Sequence, residues 1–378
     1  METITVKVRL YPNNTQSNLL NLNIDAVRFV YNKLLEIQIT DNYKHSYVDM
    51  TNMLPTLKNN FGFLKLANSQ SLQQTLKKLD ITIKNYKYKK TGKPKFRSYF
   101  KDSKYFVVPQ HFKVDFINKS LSLPKIGFIK FRHKLTNYKI NTIKQIVVTK
   151  DKYGRFYASM VCLATLKTVK VLNNALGIDV GVINLLTDSL GNKVKPLHKN
   201  TRLIKYLNKI KKLQVVITKL KYRSINYNKV IRKMNNYFIK INNIKKDKLH
   251  KVTNYYAKYK HIVLEKLNIQ KMTRNTRGTV NNPNKDSKRK SNLNRVILSN
   301  NWYMFIMFLN YKLKHRGNVL NIVEPEYTSQ TCFICKHVNK DNRNGSRFKC
   351  VKCSHEDDAD INAAKNILIK AGIRNVKV

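Results

Sequence analysis

The sequence predicts an α+β protein of more than one domain. A small β-barrel interrupted by a helical lobe is followed by an α/β domain carrying an inserted helical hairpin and a cysteine-bounded module. Three observations predict it. An alternating strand at 3–12 is followed by helical periodicity and then, from about 105 to 165, by strand texture. A second strand, tight turn and strand begin in "ALGIDVGVINLLTDSLGN" and lead into two helical segments. Four of the five cysteines fall in two close pairs near the C-terminus. The 378 residues allow two or three domains, each with its own core.

The first strand, "TITVKVRLYP", alternates apolar and polar residues, the pattern of a half-buried strand. From Thr15 to about Leu79 apolar residues such as Leu19, Leu22, Val27 and Val30 recur at helical spacing. "KKLDITIKNYKYKKTGKPKFRSYFKD" then carries Gly92, Pro94 and a dense basic run, which reads as a surface loop. "KYFVVP", "HFKVDF", "LSLPKIGFIKFR" and "KQIVVTKDKYGRFYASMVCL" follow as strands, the last holding a hairpin turn at Asp151–Gly154. Cys162, alone in "ASMVCLA", reads as a buried strand residue.

In the second half, Leu203, Tyr206, Ile210, Leu213, Ile217 and Leu220 mark one helix. Val230, Met234, Tyr237, Ile241 and Ile244 mark its antiparallel mate. "YKHIVLEKLNI" is an apolar strand, and "RNTRGTVNNPNKDSKRKSNLNR", polar and basic, is expected to be a mobile loop. A helix at about 301–316, the strand "NVLNIVEP", the cysteine block and a last helix, "ADINAAKNILIKAG", complete the chain.

Charge narrows the function. With 74 Lys+Arg against 21 Asp+Glu the formal net charge is +53. Such a field repels itself unless a polyanion neutralises it, and each phosphate contact with nucleic acid releases counterions. A compositional bias towards Lys and Asn explains an excess of lysine but not so deep a depletion of acids. Residues 195–248 alone hold seventeen Lys/Arg and one acid, Asp247, the charge pattern of a phosphate-tracking surface. The N-terminus lacks the apolar core of a signal peptide, and "WYMFIMFL" is far shorter than the roughly 18 residues of a membrane helix. These features predict a soluble intracellular protein with no membrane partner, in the cytoplasm or nucleoid, or in the nucleus of a eukaryotic or viral system.

Two motifs carry chemistry. Cys332-x2-Cys335 and Cys350-x2-Cys353, fourteen residues apart, supply four thiolates to a tetrahedral Zn²⁺. With all four positions filled by protein, such a site is structural. Asp179 in "GIDVG", Glu265 in "IVLEKL" and Asp360 in "DADINAAKNI" are carboxylates embedded in apolar runs. A lone buried carboxylate is costly unless it meets a cation or several donors. In an RNase H-like fold the first strand, a later parallel strand and the C-terminal helix converge. Three converging acids there hold two divalent cations about 3.5–4 Å apart. Ala363 and Ala364, one turn beyond Asp360, are small enough to let the helix sit close to the sheet.

The chain resembles the TnpB (OrfB) family of transposon-associated RNA-guided nucleases, whose eukaryotic and viral relatives are the Fanzor proteins. The resemblance rests on "VRLYP", "RFVYNKLL", "SLQQTLKKLD", "GKPKF", "LPKIGFIK", "GIDVGVINLLTDS", "IVLEKLNIQKM", "YTSQTCFICKH" and "DADINAAKNIL", in family order over nearly the whole chain. It implies a wedge β-barrel at 1–14 and 104–170 with a helical recognition lobe inserted at 15–103. It also implies a RuvC-like nuclease domain at 171–328 and 357–378, interrupted by a zinc ribbon at 329–356. By position it makes Asp179, Glu265 and Asp360 ligands of Mg²⁺ or Mn²⁺ and the four cysteines ligands of Zn²⁺. Some members carry the middle acid just upstream of "YTSQTC", where this chain has Glu324 and Glu326, so Glu324 is the alternative to Glu265. The implied function is cleavage of double-stranded DNA chosen by a guide RNA, beside a short flanking motif. A nuclease-dead guided regulator and a DNA transposase are the rival readings.

Overall fold

A computed structural model describes residues 2–132, 138–166, 171–273, 278–279, 282–283 and 287–373. The chain divides into two compact units, Met1–Lys167 and Thr168–Val378.

In the first unit, β1 (Glu2–Tyr11) runs into α1 (Asn14–Thr40), α2 (Tyr47–Asn52), α3 (Leu54–Asn60) and α4 (Ser69–Lys87). Asn13 caps α1 by accepting from Gln16 N while Gln16 Oε1 accepts from Asn13 N, a reciprocal capping box. The strands follow: β2 (Lys104–Val108), β3 (Lys113–Asp115), β4 (Ser120–Leu123), β5 (Gly127–Arg132), β6 (Tyr138–Lys150) and β7 (Phe156–Leu166). They form a curled antiparallel half-barrel in the order β2-β6-β7-β1-β5-β4-β3, so the first strand lies at the centre of a sheet whose other members come some ninety residues later. Ile4, Val6, Val8 and Leu10 face a core shared with Leu20, Leu34, Leu72 and Leu76 of the helices. Cys162 is fully buried in β7. The stretch "LSLPKIGFIKFR" is a hairpin, β4 and β5, turning at Lys125 with φ +64°.

In the second unit, β8 (Leu172–Asp179), β9 (Leu186–Asp188) and β10 (Lys193–Val194) precede α5 (Thr201–Thr218) and α6 (Ile225–Tyr256). The hairpin of α5 and α6 closes on Leu203, Tyr206, Ile210, Met234, Tyr237 and Ile241, six of the residues its periodicity marks. After β11 (Tyr259–Glu265) come α7 (Ile269–Met272), a short ribbon of β12 (Gly278–Thr279) and β13 (Asn282–Pro283), and α8 (Ser287–Ser299). Part of the expected loop at 274–295 thus lies outside the described residues, and its second half is helix. Its apolar residues are sparse but helically spaced, and Ile297 is buried in the unit's core. Then follow α9 (Trp302–Lys314), β14 (Val319–Val323), a three-stranded ribbon of β15 (Arg343–Asn344), β16 (Arg347–Lys349) and β17 (Glu356–Asp358), and α10 (Ala359–Lys370).

The sheet of this unit has the order β10-β9-β8-β11-β14, with β8, β11 and β14 parallel. Its two faces bury different partners. Leu176, Ile178, Ile262 and Leu264 pack with Trp302, Phe305 and Leu309 of α9, and Ala175 and Val263 pack with Ile367 and Leu368 of α10. Among the described residues no helix is long and apolar enough to cross a membrane.

Candidate active site and cysteine centre

Asp179 and Glu265 are the last residues of neighbouring parallel strands, β8 and β11, paired in register up to Ile178 and Leu264. Side chains alternate faces along a strand, and in-register partners share one. Gly177, Val263 and Asn321 are partners across β8, β11 and β14, so Asp179 and Glu265 lie on the face that α10 covers. The carboxyl edge of a parallel sheet is where open α/β folds bind ligands.

The third acid is brought by α10. A Cβ built on Gly177 would meet the Ala364 carbonyl oxygen at 2.0 Å and Leu368 Cβ and N at 2.9 Å, so the helix backbone rests directly on the strand at this glycine. Ala363 and Ala364 are buried in the contact, as their size predicts. Asp360, one turn nearer the N-terminus than Ala364, acts electrostatically on Asp179. Asp358 caps the helix, accepting from Asp360 N and Ile361 N. Burial, then the charges of Asp360 and Glu265, push the Asp179 carboxyl up to about 7, against opposing pulls from Arg343 and the Val180 N–H. Burial also raises Glu265, against the Thr328 hydroxyl that donates to its Oε2 at 2.9 Å and the charge of Lys370.

A second buried acid nearby shows what a purely structural carboxylate looks like. Asp188 is fully buried and accepts from Leu190 N, Asn192 N, Asn192 Nδ2 and Tyr256 Oη at 2.8–3.1 Å. Its donors come from the β9–β10 turn and α6. Asp179, on the adjacent strand next to Ile178, the partner of Asp188, has a single main-chain donor, the Val180 N–H, among the described residues.

Glu324 is oriented otherwise. It follows Val323, the last residue of β14 and the partner of Glu265, and β14 is separated from β8 by β11. Two strand spacings put it roughly 10 Å from Asp179. Its side chain is 64% exposed and pairs with Lys266 Nζ at 2.7 Å. Glu326 is exposed as well.

Sequence reasoning missed Arg343. From β15 its Nη2 donates to Asp360 Oδ1 at 3.1 Å, and its charge reaches Asp179. No spacing rule links a ribbon arginine to a helix acid seventeen residues on. Gly177 had a signal, since glycine inside a strand marks close backbone approach. Thr328 belongs to the "YTSQTC" block, but nothing local ties it to Glu265.

The cysteines meet. Cys332 and Cys353 sulfurs lie 3.7 Å apart, Cys335 and Cys350 sulfurs 3.5 Å, and all four within 4.8 Å of one another. A tetrahedron with metal–sulfur bonds of about 2.3 Å sets its sulfurs about 3.8 Å apart. Each pair forms the same knuckle. Lys336 N donates to Cys332 O and Ser354 N to Cys350 O, both at 3.0 Å, and Lys336 and Ser354 both take positive φ. Main-chain N–H groups of Ile334 and Cys335 point at the Cys332 sulfur, those of Lys352 and Cys353 at the Cys350 sulfur, which favours thiolates. The donor set and spacing fit a zinc-like cation. Among the described residues the three carboxylates do not draw together as closely as these sulfurs. Asp360 is held by Arg343 and Glu265 by Thr328.

The centre is joined to α10 by two amides. Asn362 Oδ1 accepts from Phe333 N, and its Nδ2 donates to Thr331 O. Asn366 Nδ2 donates to Thr328 O and Thr331 O. The cysteine module and the helix carrying Asp360 therefore hold one another.

Comparison with known proteins places these features in context. Residues 159–276 match a family model described as a probable transposase, 302–367 a Cas12f1-like TNB domain, and 1–46 a helix-turn-helix domain. Within 1–46 this chain forms one strand and one long helix before α2 begins. The Escherichia coli (strain K12) putative RNA-guided DNA endonuclease InsQ is 33% identical over 372 residues, spanning 96% of this chain and 90% of that protein. A putative RNA-guided DNA endonuclease of Streptomyces pristinaespiralis is 27% identical over 375 residues, spanning 96% and 88%. The fold resembles that of a Cas12f1–sgRNA–target DNA complex, with a TM-score of 0.52 and 17% identity over 93% of this chain and 82% of that one.

Proposed function

The chain belongs to the TnpB (OrfB) family of transposon-associated RNA-guided nucleases, and from that premise we propose that it is an RNA-guided DNA endonuclease whose cutting centre is Asp179, Glu265 and Asp360. The observation that carries the site is the shared face. Burial, then the charges of Asp360 and Glu265 beside it on the α10 side of one sheet edge, push Asp179 up to about 7, in a chain whose formal net charge is +53. That rise falls on the carboxylate to which, among the described residues, no side chain donates, which is where a cation is wanted.

These three carboxylates would hold divalent cations of the Mg²⁺ or Mn²⁺ class, whose chemistry when bound would be to activate a water and stabilise the departing 3′ oxygen. Each side chain has its own task. Asp179 offers a carboxylate almost free of protein donors. Thr328 fixes one oxygen of Glu265 and leaves Oε1 unengaged. Arg343 orients Asp360 and tempers the repulsion among the acids, while Gly177 sets the height of the helix above the sheet. The four cysteines would hold Zn²⁺ as a structural ion, and Asn362 and Asn366 tie their module to the helix that delivers Asp360. The exposed lysines of α5 and α6, among them Lys205, Lys209, Lys212 and Lys233, provide a phosphate-tracking surface. A guide RNA would read target DNA by base pairing, leaving the protein to read shape and a short flanking motif. On this reading 1–14 and 104–170 form the wedge domain, 15–103 the recognition lobe, 171–328 with 357–378 the nuclease domain and 329–356 the ribbon.

The test is purification followed by sequencing of bound RNA and plasmid cleavage directed by it. Guided breaks that need Mg²⁺ or Mn²⁺, and that disappear in Asp179→Ala protein still loaded with RNA, are expected. A preparation without RNA, or undiminished guided cleavage by Asp179→Ala, would refute the proposal.

A further inference from the structure

The segment 88–103 between α4 and β2 is built unlike a slack surface loop. The Asn32 amide of α1 pins its backbone on both sides: Arg97 N donates to Asn32 Oδ1 at 2.7 Å, and Asn32 Nδ2 donates to Arg97 O at 3.0 Å. The Arg97 guanidinium lies over the Tyr31 ring, 3.7 Å from its centre. Beyond it a tight turn closes, with Ser98 N donating to Asp102 Oδ2 and Ser98 Oγ accepting from Phe100 N and Lys101 N. Tyr99 in that turn has the Arg28 and Lys104 cations over its ring at 5.4 and 3.9 Å. It meets the Phe100 ring edge-on, at 5.0 Å between centres and 86° between planes.

Phe100 itself is 85% exposed. A single exposed ring is ordinary on a protein surface. This one differs because its backbone is fixed, its flank is braced by a second ring, and its surroundings are cationic. Residues 87–104 hold eight Lys/Arg and one acid, Asp102. The cavity against the neighbouring Tyr99, lined also by Arg28, Arg97, Asp102 and Lys104, has about 20 Å³, room for one water, and Phe100 does not line it. A ligand therefore covers the ring from outside.

We propose that Phe100 is a stacking platform for an unpaired base of a nucleic-acid single strand, with Lys101 and its neighbouring cations meeting the adjacent phosphates. A base exposes its face only when unpaired or at a helix end, so the ring selects single strands, whereas lysines alone do not distinguish them from duplex. The platform deepens the nucleic-acid reading above and rests on it.

The experiment uses the full chain, purified at high salt and titrated with single-stranded RNA and DNA of about twelve nucleotides. Each carries one fluorescent base analogue. A dumbbell duplex without free ends is the comparison. Phe100→Ala should weaken single-strand binding roughly five- to a hundredfold and abolish quenching of the analogue, with dumbbell binding and the thermal transition unchanged. Phe100→Trp should restore both. Equal losses on RNA and DNA show a platform that reads the base alone, and a loss on one shows which strand it serves; both support the proposal. Unchanged single-strand affinity in Phe100→Ala, or an equal fall for the dumbbell, overturns it. Because none of these measurements needs cleavage, a wild-type protein that stacks the base but cuts no DNA would refute the endonuclease reading and leave the platform standing.

Discussion

Replacing Asp179 by asparagine should make the protein more stable while ending its activity. The carboxyl moves from an ordinary 3.8 to about 7 through burial and the charges of Asp360 and Glu265. The folded state therefore binds more protons than the unfolded one between those values, and stability falls as pH rises through that window. Above pH about 7 both states are ionised and the full cost is present. A gap of about three pH units at about 1.36 kcal/mol each gives ~4 kcal/mol, an upper figure before the site relaxes. Asparagine keeps the shape and removes the charge. Its metal-free protein should gain up to ~4 kcal/mol near pH 8 and nothing below pH about 4. Because the chain has two compact units, the assay is the unfolding transition of the second, followed by denaturant titration across pH in buffers free of divalent ions but without chelator, so that zinc stays. Added Mg²⁺ should stabilise wild type near pH 8 and have no effect on the variant. An Asp179→Asn protein equal to or weaker than wild type at that pH would refute the argument, since the carboxylate would then have partners the geometry does not provide.

Three further outcomes are expected. Gly177→Ala drives a methyl to 2.0 Å from the Ala364 carbonyl, so α10 must lift; a loss of about 3 kcal/mol or more by chemical denaturation, together with lost cleavage, should follow, and an unchanged melting curve would contradict the contact. Elemental analysis should find one zinc per set of four cysteines, with Cys332→Ser or Cys350→Ser losing the metal and raising hydrogen exchange at Asn362 and Asn366, whereas metal-free wild type would disprove the centre. Glu265→Ala should abolish cutting without weakening target binding, while Glu324→Ala, which removes only an exposed pair with Lys266, should cut as wild type does; the opposite result would move the middle ligand to β14.

Much of this protein was legible in one dimension because the relevant signals are local. The cysteine knuckles need only a two-residue spacing, and Lys336 and Ser354 complete them from the next positions. The facing residues of α5 and α6 follow from helical period, and Asp179 stands out because aspartate is rare in aliphatic strands. Family motifs in order carried the rest of the expected architecture. Local reading failed where periodicity was thin. The basic stretch at 287–299 has few apolar residues, and its helix is held by the burial of Ile297, which only a neighbouring core supplies.

What the tertiary structure alone decided is which groups meet. Where Glu265 and Glu324 lie turns on pairing: the register of Val263 with Gly177 and Asn321 puts Glu265 on the face that α10 covers, beside β8, whereas Glu324 follows β14, one strand further out. That Asp188 is satisfied while Asp179 is not depends on a tyrosine sixty-eight residues away, and that Asp360 is restrained depends on an arginine from the cysteine module. Composition and spacing determine which elements form, since those are set by nearest neighbours along the chain. The balance of charge in a buried site is set by neighbours across it, and low dielectric makes each of them count.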